Sequence, residues 1–177
     1  RSVILSRQAL SEVLKIISHS DDAISVAISE SQAEFALPAL TLGTRLIEGQ
    51  FVNYGKVVPS GFQRRVICER QELAEALTRA VIIAKDDNNR VVLRTDDGSL
   101  RIRAEAPDRG EVEEVVSIKL EGEDIEIAFN ARYMLDMLEV IDTDEVALEL
   151  SGPLNSGALK PVGDDSYLYV LMPMQIM

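Results

Sequence analysis

Cysteine is nearly absent from the 177 residues, and Cys68 on its own excludes an internal disulfide and fits a reducing cytosol. Histidine is equally scarce. With His19 alone, neither a histidine-based triad nor a multi-histidine metal site can be assembled. No phosphate-cradling glycine loop, GxGxxG turn or nucleophile elbow occurs, so an enzyme is the weaker expectation. No apolar run approaches the ~20 residues needed to cross a bilayer. The segment Arg1–Ser6 is too short for a signal peptide and meets a polar helix at once. The chain opens on Arg1 rather than Met, as a fragment or a processed chain would. Positive charge is also in deficit. Eighteen Lys and Arg face thirty Asp and Glu, a net charge of -12, which argues against a uniformly basic nucleic-acid binder.

What is present is ordinary in amount and uneven in placement. Hydrophobic residues make up 46% and charged residues 27%, enough for one or two domains with a core. Acids crowd into turn-like positions: Asp21-Asp22, Asp86-Asp87, Asp96-Asp97, Glu111 to Glu114 and Asp164-Asp165. Many cations sit close to helical patterns, among them Arg7, Lys15, Arg70, Arg79 and Arg132. This is the pattern of an acidic shell with a basic inner surface; randomly scattered, solvated charge is the plainer alternative.

Periodicity predicts three helices. Ser6 can cap one from Arg7 to about Ser18, with Leu10, Val13, Leu14 and Ile17 on one stripe. A second is predicted over 69–85 with Leu73, Ala76, Leu77 and Ala80, and a third from the cap Asn130 to about Ile141 with Met134, Met137, Leu138 and Ile141. Leu10, Leu73 and Leu135 recur at spacings of 63 and 62, an internal repeat. Everything between reads as strand: 23–30, 34–47 with breaks at Pro38 and Gly43, 90–94, 99–104, 113–120, 125–129, 146–150, 159–162 and 167–172. Asp96-Asp97-Gly98 is a hairpin signature. The expected fold class is α+β, one helix per set of antiparallel strands. A boundary is expected near Pro59.

The last residues are the most suggestive. Tyr167, Tyr169 and Leu171 alternate as a strand with one buried face, halted at Pro173, which lacks a backbone donor. Beyond it, at an end expected to be wet and frayed, stand Met174, Ile176 and Met177. They read either as the lip of a binding groove, since thioethers repack around varied ligands, or as a tail tucked into the core. His19 is expected to be structural or solvated, following the first helix. Cys68, beside Val66 and Ile67, reads as a buried small hydrophobe rather than a stabilised thiolate, and the paired aspartates as solvated turns rather than a cation site.

Three segments resemble a known family. Phe129-Asn-Ala-Arg-Tyr-Met-Leu-Asp-Met-Leu138 and Tyr169-Val-Leu-Met-Pro-Met174 are similar to the C-terminal domain of the bacterial DNA polymerase III β sliding clamp. Leu46-Ile-Glu-Gly-Gln-Phe-Val-Asn-Tyr-Gly-Lys-Val-Val-Pro59 resembles its L-[IV]-[DE]-G-x-[FY]-P-[DN]-Y segment. The resemblance implies that residues 1–58 are the second half of a middle clamp domain and 59–177 the complete C-terminal domain. The family's N-terminal domain and the first half of its middle domain have no counterpart here. Helices would line a hole around duplex DNA, sheets would form the outer wall, and the cytoplasmic, nucleoid-associated protein would be a processivity factor without catalysis or cofactor.

By the same resemblance, DNA polymerases, the clamp loader and repair proteins would insert short peptides into a groove. Carried over by position, it comprises Val52, Lys56, Val57, Asn130, Tyr133, Leu154, Ser156, Val170, Leu171, Met172, Pro173, Met174 and Gln175. Val52 stands where the family has proline and Asn88 where it has an apolar or aromatic groove residue. Part of the groove belongs to the half-domain without counterpart, so a partial groove of reduced affinity is expected. Arg7, Lys15, Arg70, Arg79 and Arg132 are expected to face DNA. Ile82 and Ile83 match the subunit interface, and self-association is expected. The alternative is a truncated peptide-binding module that never encircles DNA.

Overall fold

The computed structural model describes residues 2–18 and 22–176; His19, Asp21 and Met177, on which expectations fell, lie outside them. Two compact units part between Asn53 and Tyr54, five positions before the boundary expected from sequence. The 3₁₀ turn Tyr54–Lys56 belongs to the second unit, where the Ser156 hydroxyl donates to the Val57 carbonyl at 3.1 Å.

The first unit carries helix α1 (Arg7–Ile17) and strands β1 (Ser25–Ile28), β2 (Gln32–Leu37) and β3 (Leu40–Arg45) in an antiparallel sheet of that order. Ser6 caps α1 as expected: its extended backbone turns the hydroxyl to the Ala9 N–H at 3.1 Å. Pro38 sits in the β2–β3 turn, but Gly43 breaks nothing; it pairs with Glu34 inside β3. The helix stripe is only partly used. Val13 is buried with Ala33 and Phe35, whereas Leu10 and Leu14 remain exposed.

The second unit repeats one motif twice. First come β4 (Arg64–Glu69), α2 (Arg70–Ala84), β5 (Arg90–Asp96), β6 (Ser99–Ala106) and β7 (Gly110–Glu121). Then follow β8 (Glu126–Asn130), α3 (Ala131–Leu138), β9 (Glu145–Leu150), β10 (Gly157–Pro161) and β11 (Tyr169–Leu171). Each repeat is strand, helix, three strands, as the spacing of the leucines predicts. All eight strands form one antiparallel sheet in the order β11-β10-β9-β4-β7-β6-β5-β8. The two repeats interlock, since β4 pairs with β9 and β8 with β5.

Alternation decides which face each strand buries. In β6, Leu100, Ile102, Ala104 and Ala106 point inward and their neighbours outward. The β5–β6 hairpin turns on Asp97 and Gly98 with φ of 45° and 76°, the double left-handed geometry expected of that signature. Leu73, Leu77, Met134, Met137 and Phe129 are fully enclosed between sheet and helices. α3 is shorter than predicted. It ends at Leu138 in a tight turn, Val140 N–H to Met137 carbonyl at 3.1 Å, while Ile141 stays buried.

Cys68 lies in this core, and burial beside Glu72, Glu69 and Glu145 pushes its thiol up to about 12. A raised value means the folded state holds the proton more tightly. The thiol's contribution to stability is therefore constant below about 9 and lost as pH climbs towards about 12. Iodoacetamide at pH 8 should leave Cys68 unmodified in the native protein and label it fully in urea; rapid native labelling, read by mass spectrometry, would contradict the buried placement.

Candidate functional site

The helix caps Glu69 and Asn130 occupy the same place in the two repeats and so set a common register. Two residues before Glu69, Ile67 pairs with Lys119 of β7; two residues before Asn130, Ala128 bridges to Met174. In the first repeat the pairing is a ladder of four: Arg65, Val66, Ile67 and Cys68 opposite Glu121, Leu120, Lys119 and Ile118. In the second it shrinks to one bridge, the Met174 N–H donating to the Ala128 carbonyl at 2.8 Å. Pro173 stands where Ile118 stands in the first repeat. Its ring fixes φ, and it takes no part in the pairing with β8.

Beside this bridge a groove opens. It has a volume of about 490 Å³ and is lined by Asn130, Tyr133 and the segment Tyr169–Met174. One wall is the start of α3. Asn130 accepts from the N–H groups of Arg132 (2.9 Å) and Tyr133 (3.3 Å), while its amide donates to the Asn88 carbonyl at 2.9 Å. Tyr133 follows, 56% exposed, with its ring available at the rim. The opposite wall is Val170, Leu171, Met172, Pro173 and Met174, in which Leu171 is buried and Met172 is 65% exposed. No charged side chain lines the cavity. Partial burial, reinforced by nearby Asp136, Tyr167 and Tyr133, raises the Tyr169 phenol above its ordinary value, so it stays neutral. An apolar, pliable slot with a few polar edges suits short chains bearing hydrophobic side chains, not a bond-breaking reaction.

Of the residues expected in the groove, Asn130, Tyr133, Val170, Leu171, Met172, Pro173 and Met174 come together. Tyr169 also lines it and was missed; strand alternation alone assigned it with Leu171 to a buried face. Lys56, Val57, Leu154, Ser156 and Gln175 do not line the cavity. Lys56 and Val57 sit in and after the exposed turn that Ser156 holds, and Leu154 is 80% exposed. Ser156 immediately precedes Gly157, which pairs with Leu171. Gln175 gives its carbonyl to Arg90. Val52 belongs to the first unit and is exposed. Asn88 and Asn89 both adopt left-handed backbone, φ 53° and 57°, a conformation asparagine tolerates and an aromatic or aliphatic residue would resist. The tail beyond Pro173 is not loose at Met174, which the bridge holds.

The cations differ among themselves. Arg79 grips Glu114 through two hydrogen bonds of 2.9 and 2.8 Å and holds that carboxyl below its usual value. Arg70 donates to the Thr143 and Leu138 carbonyls at 3.0 and 3.3 Å, pinning the turn after α3. Lys15 pairs with Glu12 at 2.7 Å. Arg7 and Arg132 are exposed and form no ion pair among the described residues. At the end of α2, Ile82 is 61% exposed, whereas Ile83 packs on the core. Among the described residues no cluster could hold a metal ion, and no helix is long and apolar enough to cross a membrane.

Asn130 joins the helix cap to the groove wall. Asn130→Ala should lower stability by about 1 kcal/mol through loss of the cap. Asn130→Asp, which keeps the acceptor, should recover most of it; equal losses in urea unfolding would show that the cap does not matter.

Comparison with known proteins places this geometry. Residues 55–175 match the model of the DNA polymerase III beta subunit, C-terminal domain. A beta sliding clamp from Pseudomonas putida is 32% identical over 174 residues, 98% of this chain and 47% of that protein. A solved sliding clamp from Bartonella birtlesii, bound to griselimycin, superposes with a TM-score of 0.87 at 30% identity, covering 99% of this chain and 48% of its own. The DNA polymerase III beta subunit of Thermotoga maritima gives 0.84 at 28% identity, covering 100% and 48%. The chain thus spans about half the length of the relatives it matches.

Proposed function

Because the chain belongs to the family of DNA polymerase III beta subunits, the beta sliding clamps, we propose that its groove captures short peptides with hydrophobic anchors, and that it serves DNA replication as a non-catalytic processivity factor. The observation that carries the reading is the strand broken at Pro173 opposite Tyr133, which leaves an uncharged slot of about 490 Å³. Buried anchor side chains supply most of the energy in such complexes, and thioethers adapt to different anchors. Polymerases, the clamp loader and repair proteins are the proposed sources of these peptides. Lys56, Val57, Leu154, Ser156 and Gln175 would then border the bound chain rather than receive its anchors.

Duplex DNA is the second proposed partner. Arg7 and Arg132 are the cations best placed to meet phosphates, because Arg70 and Arg79 are committed elsewhere. Weak, screened contact to phosphates positions without reading sequence and permits sliding. Under this reading 1–58 corresponds to the second half of a middle domain and 59–177 to the C-terminal domain, the protein is cytoplasmic, and the exposed Ile82 faces a neighbouring subunit.

A fluorescence titration with a labelled Gln-x-x-Leu-Phe peptide tests the groove. Saturable micromolar binding is expected, weakened by roughly a hundredfold in Tyr133→Ala plus Met172→Ala, the scale of two lost anchor contacts. A folded chain that ignores the peptide into the high micromolar range would refute the groove. Retention on closed circular DNA, lost on linearisation, distinguishes an encircling clamp from a module that only binds peptides.

A further inference from the structure

Taking the groove as the binding site proposed above, the geometry points to Arg90 as the positioning residue that holds its outer wall in place, acting through the chain beyond Met174. The wall needs such a tie. Met174 is attached to β8 by one bridge where the first repeat has four paired positions. A segment held by so few backbone hydrogen bonds opens readily unless something else holds it.

Arg90 is the first residue of β5, which lies beside β8. Its Nη1 donates to the Gln175 carbonyl at 2.8 Å, one residue past the bridge. Its Nε donates to Asp87 Oδ2 at 2.7 Å, and Nη2 lies 2.6 Å from the same oxygen. Both side chains are mostly shielded, at 16% and 26% exposure, so the pair is less screened than the surface ion pairs of this protein. Asp87 thereby fixes the guanidinium plane, and the guanidinium fixes Gln175. The planar fork can do this because it offers several donors at set angles; a lysine offers a single point of attachment. At the equivalent strand start of the other repeat, Glu145 meets Lys119 of β7 at 3.1 Å, so both repeats tie this corner, one by an ion pair and the other by a carbonyl. Arg90 itself is absent from the groove lining, and its effect on a ligand is exerted only through Met174 and Gln175.

Hydrogen exchange at the Met174 amide and peptide titration, both on the full chain, test the assignment. In Arg90→Ala, Met174 should exchange at least tenfold faster while amides of β4 and α2 keep their protection. Peptide affinity should fall by roughly tenfold, about the worth of one charge-assisted hydrogen bond. Asp87→Asn should give a smaller change in the same direction, and Arg90→Lys should recover part of the Met174 protection. Unchanged Met174 exchange in Arg90→Ala overturns the assignment, and so does weaker peptide binding without faster exchange at Met174. If the unaltered chain fails to bind peptide, the groove reading fails by itself. The exchange result then still decides whether Arg90 holds the tail.

Discussion

A single backbone hydrogen bond, from the Met174 N–H to the Ala128 carbonyl, closes the second unit's sheet on itself. β11 and β8 are the two edges of an eight-stranded antiparallel sheet, and this bridge is what joins them. The bridge narrows the gap between those two edges, and both helices pack on the core that the sheet covers. The closure is also the sparsest pairing of the sheet, one bridge where every pair of neighbouring strands has at least three paired positions. Beside this bridge, Pro173 and the strand before it line the slot together with Asn130 and Tyr133.

Helices, caps and most strands were legible in the sequence because local chemistry dictates them. Ser6 and Asn130 cap as their side chains allow, and Asp97-Gly98 takes the backbone that only such residues adopt cheaply. The repeat was legible because α2 and α3 each bury an apolar stripe of helical spacing. What escaped reading depends on partners far along the chain. Arg70 and Arg79 stand on a helix where positive charge suggests an open face, yet carbonyls and a carboxylate 73, 68 and 35 positions away satisfy them. Gly43 was read as a breaker, but an edge-side position opposite Glu34 needs no side chain to pack. Tyr169 was assigned inward by alternation, whereas the strand ends after Leu171 and its start lies at the mouth of the slot.

The excess of acid is arranged rather than scattered. On the outer faces of β6 and β7, Arg101 meets Glu113 at 2.9 Å and Arg103 reaches Glu111 at 3.5 Å, cross-strand pairs that each contribute a few tenths of a kcal/mol. Glu149 is nearly enclosed between Arg65 (3.7 Å) and Lys160 (3.0 Å) on the neighbouring strands. Such pairing consumes most of the arginines and explains how a chain of net charge -12 can leave only isolated positive points on its helices. Any polyanion would meet a sparse array of cations, which favours loose and mobile attachment over tight binding.

The strand order also governs when the molecule can become itself during synthesis. β4 emerges early, yet it lies between β9 and β7, and the Arg64 guanidinium waits for the Ser151 carbonyl 87 positions later. Loop-closure entropy must be met before those distant pairings reward it. The first repeat therefore leaves the ribosome with an unfilled seat in its sheet, and the seat is taken only when β9 arrives. The segment that bridges to β8 is made after all eight strands of the sheet. The slot therefore takes shape only after both repeats have been made, because its walls come from the start of α3 and from the segment Tyr169–Met174.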